Sequence, residues 1–430
     1  MLPLTKLLFP AILLAPTSFA AAQEGTAAPA PIAATASDQE TQLAAIETAL
    51  QGNYVFPANV PAIMEAVRSA AQSSDASERD AFARALTEAL IAASGDPHFI
   101  VGIEEPGSAS TVEYSELSDK AGNYGFQSVR LLAGNIGYLR FDNFSDPDLA
   151  FATASAALKL LENSDGLIID LRYNNGGYND LGQLIASHFF PADKDTLLVS
   201  YYYNEGGKRI ERGQWVLSAL PGARDSQKPI HILTSTVTFS AAEWMAFSLQ
   251  QTGRATIIGA QTSGGGHPVD RFALNDGFFI QIPIGEMRGP NGGEFEGVGV
   301  TPDLRVASHR ALETSHVTML ETLAAQTPSA ALDWALVEAR AAKAPLSLPA
   351  SWLRKAAGEY EGRELVFDGE GLSYKWRGRY ELRLTPLGEK LFAVEGTDDY
   401  RIELLGDDDA ITGISRIYSD GERQVFERTQ

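Results

Sequence analysis

Apolar residues first recur along this chain at helical spacing. Leu43, Ile46 and Leu50 mark one face of a helix over 38–52, and 61–73 forms a second run. Phe82, Leu86 and Leu90 mark a third over 77–94, with Ser77 as its candidate cap. These three predict a small N-terminal helical lobe over 38–104. It closes with the turn Ser94-Gly95-Asp96-Pro97-His98-Phe99 and the strand-like run Ile100-Val101-Gly102-Ile103. From Phe126 the pattern switches. Strand-like runs at 136–141, 166–171, 197–203, 229–234 and 255–259 alternate with helical runs at 147–163, 180–190 and 241–251. Continuous apolar strands between helices predict an α/β core with mostly parallel pairing, assigned to 105–330. An Ala-rich helical stretch, 307–342, breaks near Pro328. A linker is assigned to 331–345. Short alternating runs such as Glu364–Asp368, Leu372–Trp376, Arg379–Leu384 and Val425–Arg428 follow, separated by Asp-Gly and Glu-Gly turns. They predict a separate antiparallel β domain over 346–430, a small barrel or sandwich.

The N-terminus adds an address. Lys6 precedes a short apolar core from Leu7 to Pro16, and Ala20-Ala21-Ala22 supplies a small-residue cleavage pattern before Gln23. Residues 1–22 are expected to be a signal peptide and 23–37 a disordered, Ala/Pro-rich linker. The apolar core is too short for a membrane span of roughly 20 residues. A periplasmic or secreted protein without an integral span is the expectation.

With 44% hydrophobic and 21% charged residues, the 430-residue chain has globular composition and room for two or three domains. The formal charge is −21, and near −22 without Lys6 (33 basic against 55 acidic). Nucleic acid is therefore a poor partner, since nothing offsets phosphate repulsion. The absence of cysteine excludes disulfides, thiolate metal sites and cysteine nucleophiles. The six histidines, His98, His188, His231, His267, His309 and His316, are scattered. No His-x-x-x-His pair occurs and Glu313-x-x-His316 stands alone, so neither a metal nor another cofactor is expected.

Candidate chemistry centres on Val237-Thr238-Phe239-Ser240-Ala241-Ala242-Glu243, between a buried-type strand and a helix. A serine there lies near free backbone N–H groups, where an acyl-transfer nucleophile is useful. Ser240 with Glu243 equally fits a Ser-x-x-Glu capping box. Asp170-Leu171-Arg172-Tyr173-Asn174-Asn175-Gly176-Gly177 ends a strand in a double glycine, suited to an oxyanion donor or to a plain turn. The loop Gly259–Pro268 is glycine-rich but lacks a Gly-Lys-Ser/Thr ending, so it is a weak nucleotide site. Glu296-Gly297-Val298-Gly299-Val300-Thr301-Pro302-Asp303 carries a carboxylate at each end, and His98 sits at a constrained turn.

Taken in order, these stretches and Asn53-Tyr54-Val55-Phe56-Pro57 resemble the S41 peptidase family over about 53–303. That family includes C-terminal processing proteases, the tricorn core protease and interphotoreceptor retinoid-binding modules. The resemblance implies a ClpP/crotonase-like α/β catalytic core. In the processing-protease branch a Thr-x-Gly-Lys-Gly loop carries a lysine base. Here Thr262-Ser263-Gly264-Gly265-Gly266 puts glycine at the lysine position, which favours the histidine-using branch. That branch usually lacks a PDZ domain, and only about thirty residues separate Ile103 from Ile136, too few for one. Pro97 departs from the tricorn-like pattern, which has a serine before the histidine.

The roles implied by this resemblance are Ser240 as nucleophile, His98 as general base and Glu296 as the group that holds the imidazole. The N–H groups of Ala241 and of Gly176 or Gly177 form the oxyanion hole. The expected activity is an exported serine peptidase acting on peptides or unfolded protein C-termini. A non-catalytic binding module for apolar ligands or peptides, or an esterase-type hydrolase, are the alternatives on the same fold.

Overall fold

The computed structural model describes residues 36–74, 78–104, 119–376, 381–407 and 410–429. The expected signal peptide, most of the expected linker, Ser77 and Arg379 lie outside the described residues. Helix α1 (Ala36–Asn53) begins inside the expected linker. Helix α2 (Val60–Ser73) starts with Pro61 in its first turn, where the missing N–H costs nothing, and buries Ile63, Met64, Val67 and Ala71. Helix α3 (Arg79–Ser94) buries Phe82, Leu86 and Leu90. It stops at Gly95, whose φ of 75° is left-handed and whose N–H bonds Ile91 O at 2.8 Å. That cap turns the chain sharply and delivers Asp96-Pro97-His98.

The next strand, β1 (Ile100–Ile103), does not enter the main sheet. The main sheet has six strands. These are β2 (Phe126–Leu132), β3 (Ile136–Phe141), β4 (Gly166–Asp170), β7 (Ile230–Thr234), β8 (Thr256–Gly259) and β12 (Leu304–Arg305), in the order β12-β8-β7-β4-β3-β2. All pairs are parallel except the β2–β3 edge. Period-2 alternation divides its two faces. Leu167, Ile169, Ile230 and Ile232 join one core with helices α4 (Pro147–Leu160), α5 (Asn179–Ser187) and α6 (Ala241–Gln251). Tyr138, Ile168, Leu233 and Ile258 face a second core with α7 (Ala311–Gln326) and α8 (Ala330–Lys343). Helix α8 overturns the expected linker at 331–345. Ala335, Leu336 and Ala339 are buried against the sheet side, so this segment is core.

A second correction concerns 197–203, expected in the parallel layer. It forms β5 (Leu197–Glu205), which hairpins into β6 (Lys208–Trp215) and pairs with β11 (Gly285–Arg288) in a separate antiparallel sheet. Gly206 and Gly207 both have positive φ, 58° and 81°, which a two-residue hairpin turn requires. Two further strands, β9 (Val269–Ala273) and β10 (Phe278–Pro283), pair with β1. Phe278, Ile280 and Ile282 thereby enter the helical lobe's core. This small sheet fastens the lobe to the α/β core. It also fixes the backbone of His98, whose carbonyl accepts from Gln281 Nε2 at 2.9 Å.

Beyond α9 (Ala350–Ala356), eight antiparallel strands follow one another as a meander between Gly358 and Glu427. A bridge between Tyr360 and Arg428 brings the first strand back to the end of the last, giving a nearly closed barrel around Tyr360, Tyr374, Phe392 and Ile402.

Candidate active site

Three loops leave the carboxyl ends of β4, β7 and β8, where ligand crevices form in parallel sheets. The β7 loop ends at Ser240, with φ 54° and ψ −120°. A non-glycine residue in that region is strained, and the strain lifts the side chain out of the sheet at a strand-to-helix elbow. The neighbouring loops hold the elbow in place. Thr238 Oγ1 donates to Leu171 O (2.8 Å), Ser235 Oγ to Arg172 O (2.5 Å) and Phe239 N to Asn174 O (3.1 Å).

Glu243, read from sequence as half of a capping box, does more than cap α6. Its carboxylate is fully buried and accepts from Ser240 N at 2.9 Å. It also accepts from Thr262 Oγ1 (2.5 Å), Gly264 N (2.6 Å) and Gly265 N (2.7 Å). One carboxylate thus latches the glycine-rich loop onto the Ser240 elbow. Gly265 packs on the Phe239 ring, where a Cβ would lie 2.1 Å from a ring carbon. The position matching the family lysine therefore has no room for a side chain without moving Phe239.

Gly176 and Gly177 have φ of 101° and 130°. Gly176 lies against Ser240, and an added Cβ would be 2.7 Å from Ser240 Cβ and 3.1 Å from Ala241 N. Its N–H, however, already donates to Asn174 Oδ1 at 2.9 Å. Gly176 is thereby corrected from candidate donor to the spacer that allows close approach. The N–H groups of Gly177 and Ala241 have no hydrogen-bond partner among the described residues.

His98 and Glu296 do come together, but with a different contact from the expected one. His98 Nδ1 bonds Asp96 Oδ1 at 2.8 Å, whereas Glu296 Oε1 lies 3.6 Å away, beyond a hydrogen bond. Glu296 Oε2 instead accepts from Gly266 N (2.6 Å) and His267 N (2.8 Å). The second oxygen of Asp96 bonds His267 Nδ1 at 2.7 Å. Two imidazoles therefore share one carboxylate. The His98 ring stacks on Phe239 with centroids 6.0 Å apart, and the His267 ring meets Phe56 edge-on at 5.8 Å. The expected serine position, Pro97, is exposed and makes no part of this network. It is the Asp96 side chain that holds the His98 ring.

Burial opposes charge on both partners, and hydrogen bonding overcomes it. Burial would raise Asp96, but donors from His267, the His98 ring and the His98 N–H hold its carboxyl well below the usual range. Burial would lower His98, but the Asp96 hydrogen bond and the fields of Glu296, Asp96 and Glu243 raise it above the ordinary imidazole value. Asp96 and His267 are the members of this network that sequence reading missed. The first was noted only as a turn neighbour and the second as part of a loop.

A cavity of about 30 Å³ adjoins Ser240 and is lined by Trp244, Gly265, Gly266, His267 and Phe295. A larger one, about 830 Å³, lies between Asn135, Lys228, α8 and the barrel residues Asp398 and Ser419. Its lining includes neither a histidine nor Ser240, so Ser240 is the candidate centre.

Residues 135–306 match the model of peptidase family S41. A carboxyl-terminal-processing protease of Synechocystis sp. is 31% identical over 171 residues, covering 39% of this chain and 37% of the relative. A carboxy-terminal-processing protease of Bartonella bacilliformis is 30% identical over 179 residues, covering 40% and 39%. The chain thus spans about two-fifths of the length of these curated relatives. The solved structure of a lipoprotein from Streptococcus agalactiae aligns over 66% of this chain and 96% of its own with TM-score 0.48 and 19% identity. Ser240, Gly177, His267 and Glu296 fall within the matched segment, and Asp96 and His98 precede it. Residues 135–306, about two-fifths of the chain, are thus similar to peptidase family S41.

Proposed function

We propose that this protein is an exported serine peptidase that cleaves peptides or unfolded protein C-termini through an acyl-enzyme on Ser240. The observation that carries the reading is the strained Ser240 elbow, with the Gly176-Gly177 turn packed against it and the Asp96-bonded His98 ring stacked on the adjacent Phe239. In this reading His98 keeps its proton on Nδ1, donating to Asp96, so the Nε2 lone pair takes the Ser240 proton. Ser240 Oγ attacks the scissile carbonyl, and the N–H groups of Ala241 and Gly177 hold the resulting oxyanion. Loss of one such donor typically costs about 2.7–4 kcal/mol of transition-state stabilisation. His98 then protonates the leaving amine, and water repeats the sequence to release the acyl group. Asp96 and, at longer range, Glu296 stabilise the transient imidazolium.

The test is hydrolysis of an unstructured peptide library by the wild type and by Ser240→Ala, with products read by mass spectrometry. The reading expects cleavage by the wild type alone. Equal cleavage by both proteins would remove Ser240 from the mechanism, and cleavage by neither would favour a binding module.

A further inference from the structure

Asp96, His98, His267 and Glu296 each offer one ligand atom, and these atoms all lie within 4.8 Å of one another. They come from the turn after α3, the loop after β8 and the loop after β11, so no short motif announces them. Asp96 is 6% exposed and Glu296 17% at the side chain, and both imidazoles are 9% exposed. Neither carboxylate pairs with a lysine or arginine among the described residues. Glu243, whose field reaches His98, has only N–H and O–H donors. Three carboxylates thus gather in a largely buried region where, among the described residues, the two imidazoles are their cationic candidates. Buried negative charge of this kind calls for a counter-cation.

We propose that Asp96, His98, His267 and Glu296 form an inhibitory site for one divalent cation of borderline softness, Zn²⁺ being the best match. Two imidazole nitrogens and two carboxylate oxygens are a common tetrahedral Zn²⁺ set, with bonds of about 2.0–2.2 Å and hence neighbouring ligand atoms about 3.3 Å apart. His98 Nδ1 lies 2.8 Å from Asp96 Oδ1 and 3.6 Å from Glu296 Oε1, and His267 Nδ1 lies 2.7 Å from Asp96 Oδ2 and 3.9 Å from Glu296 Oε2, so each imidazole sits between the two carboxylates. With one oxygen from each carboxylate, no pair of ligand atoms is more than 4.8 Å apart, so the widest pair would close by at most about 1.5 Å. The outer contacts are in place. The N–H groups of Gly266 and His267 fix Glu296 Oε2 and leave Oε1 facing the cluster, and the His98 N–H fixes Asp96.

The inhibitory sense follows from tautomerism and rests on the serine-peptidase reading. An uncharged imidazole bound to a metal through Nδ1 carries its proton on Nε2. Nε2 then has no lone pair for the Ser240 proton, and Asp96 can no longer orient the ring.

The experiment has two arms on metal-stripped, full-length protein. In the first, ZnCl2 is titrated calorimetrically into Ser240→Ala, which keeps the cluster and needs no catalysis. One ion per chain is expected, with binding weakened at least tenfold in Ser240→Ala/Glu296→Gln and in Ser240→Ala/His267→Gln. Circular dichroism and melting check that both fold. In the second arm, phosphonate labelling of Ser240 in the wild type is expected to slow at least tenfold in buffered free Zn²⁺ and to recover with EDTA. No stoichiometric binding, or equal affinity in a His98→Gln/His267→Gln protein, would overturn the site. Binding with unchanged labelling would overturn its inhibitory role. Absence of labelling with and without EDTA would instead strike the serine-peptidase reading, and the calorimetric arm would still decide the site.

Discussion

Glu243→Gln is the substitution whose cost follows most directly from the structure. The carboxylate is fully buried, with Oε1 accepting from Thr262 Oγ1 and Gly264 N, and Oε2 from Ser240 N and Gly265 N. A glutamine has one accepting oxygen. If its NH2 takes the Oε2 position, two backbone N–H groups lose their acceptor. If it takes the Oε1 position, the Thr262 hydroxyl can turn to accept but Gly264 N–H is left unpaired. The second arrangement costs less. One unsatisfied buried donor costs about 1–3 kcal/mol, and the bonds to the remaining oxygen drop from charge-assisted to neutral strength. Relief from burying a charge offsets part of this, leaving about 2–4 kcal/mol of destabilisation. The assay is urea unfolding followed by intrinsic fluorescence, with the exposed Glu65→Gln as a control expected within about 0.5 kcal/mol of the wild type. Because Glu243 also latches the His267 loop to the Ser240 elbow, phosphonate labelling should slow at least tenfold. A Glu243→Gln protein within about 1 kcal/mol of the wild type and labelled at the wild-type rate would refute the latch.

Four further outcomes are expected. The acid limb of the peptidase pH profile, measured with chelator present, should have its midpoint above the ordinary histidine value of 6.5, since the neutral imidazole is the base and the folded site favours its charged form. The same shift makes His98 stabilising below about pH 6.5, a contribution lost as pH rises through the folded value, so His98→Gln should flatten that part of a stability–pH curve. Asp96→Asn should lower kcat by about 10³–10⁴ with little change in KM, because the amide lets the ring adopt the wrong tautomer. Gly265→Lys should not restore activity to His98→Gln and should destabilise the fold by about 1–3 kcal/mol in urea unfolding, since its Cβ collides with Phe239.

How far the sequence reaches depends on whether a feature is local. Helix α6 was legible at both ends because a Ser-x-x-Glu start and an apolar run define it without help from elsewhere. The parallel core strands were legible from their continuous apolar runs, and Pro328 marked the break between α7 and α8. The β5–β6 hairpin was signalled by Gly206-Gly207 but overlooked beside the α/β rhythm. Helix α8 was missed as core because its alanines bury a face that composition alone does not distinguish from a linker. Residue types and order singled out Ser240, His98, Glu296 and the glycine loops, and the structure sets Gly176 against Ser240 and Glu296 3.6 Å from His98. The Asp96–His267 contact spans 171 residues, and the small β1–β10–β9 sheet helps bring those two segments together. That the Gly176 N–H is engaged likewise depends on where Asn174 points, a tertiary fact.

The most direct test of the central claim is covalent labelling of the intact protein by a serine-directed phosphonate, mapped by mass spectrometry. The account predicts a single adduct on Ser240, absent from Ser240→Ala and slowed at least tenfold in His98→Gln. An adduct on another residue, or equal labelling of the wild type and Ser240→Ala, would contradict it.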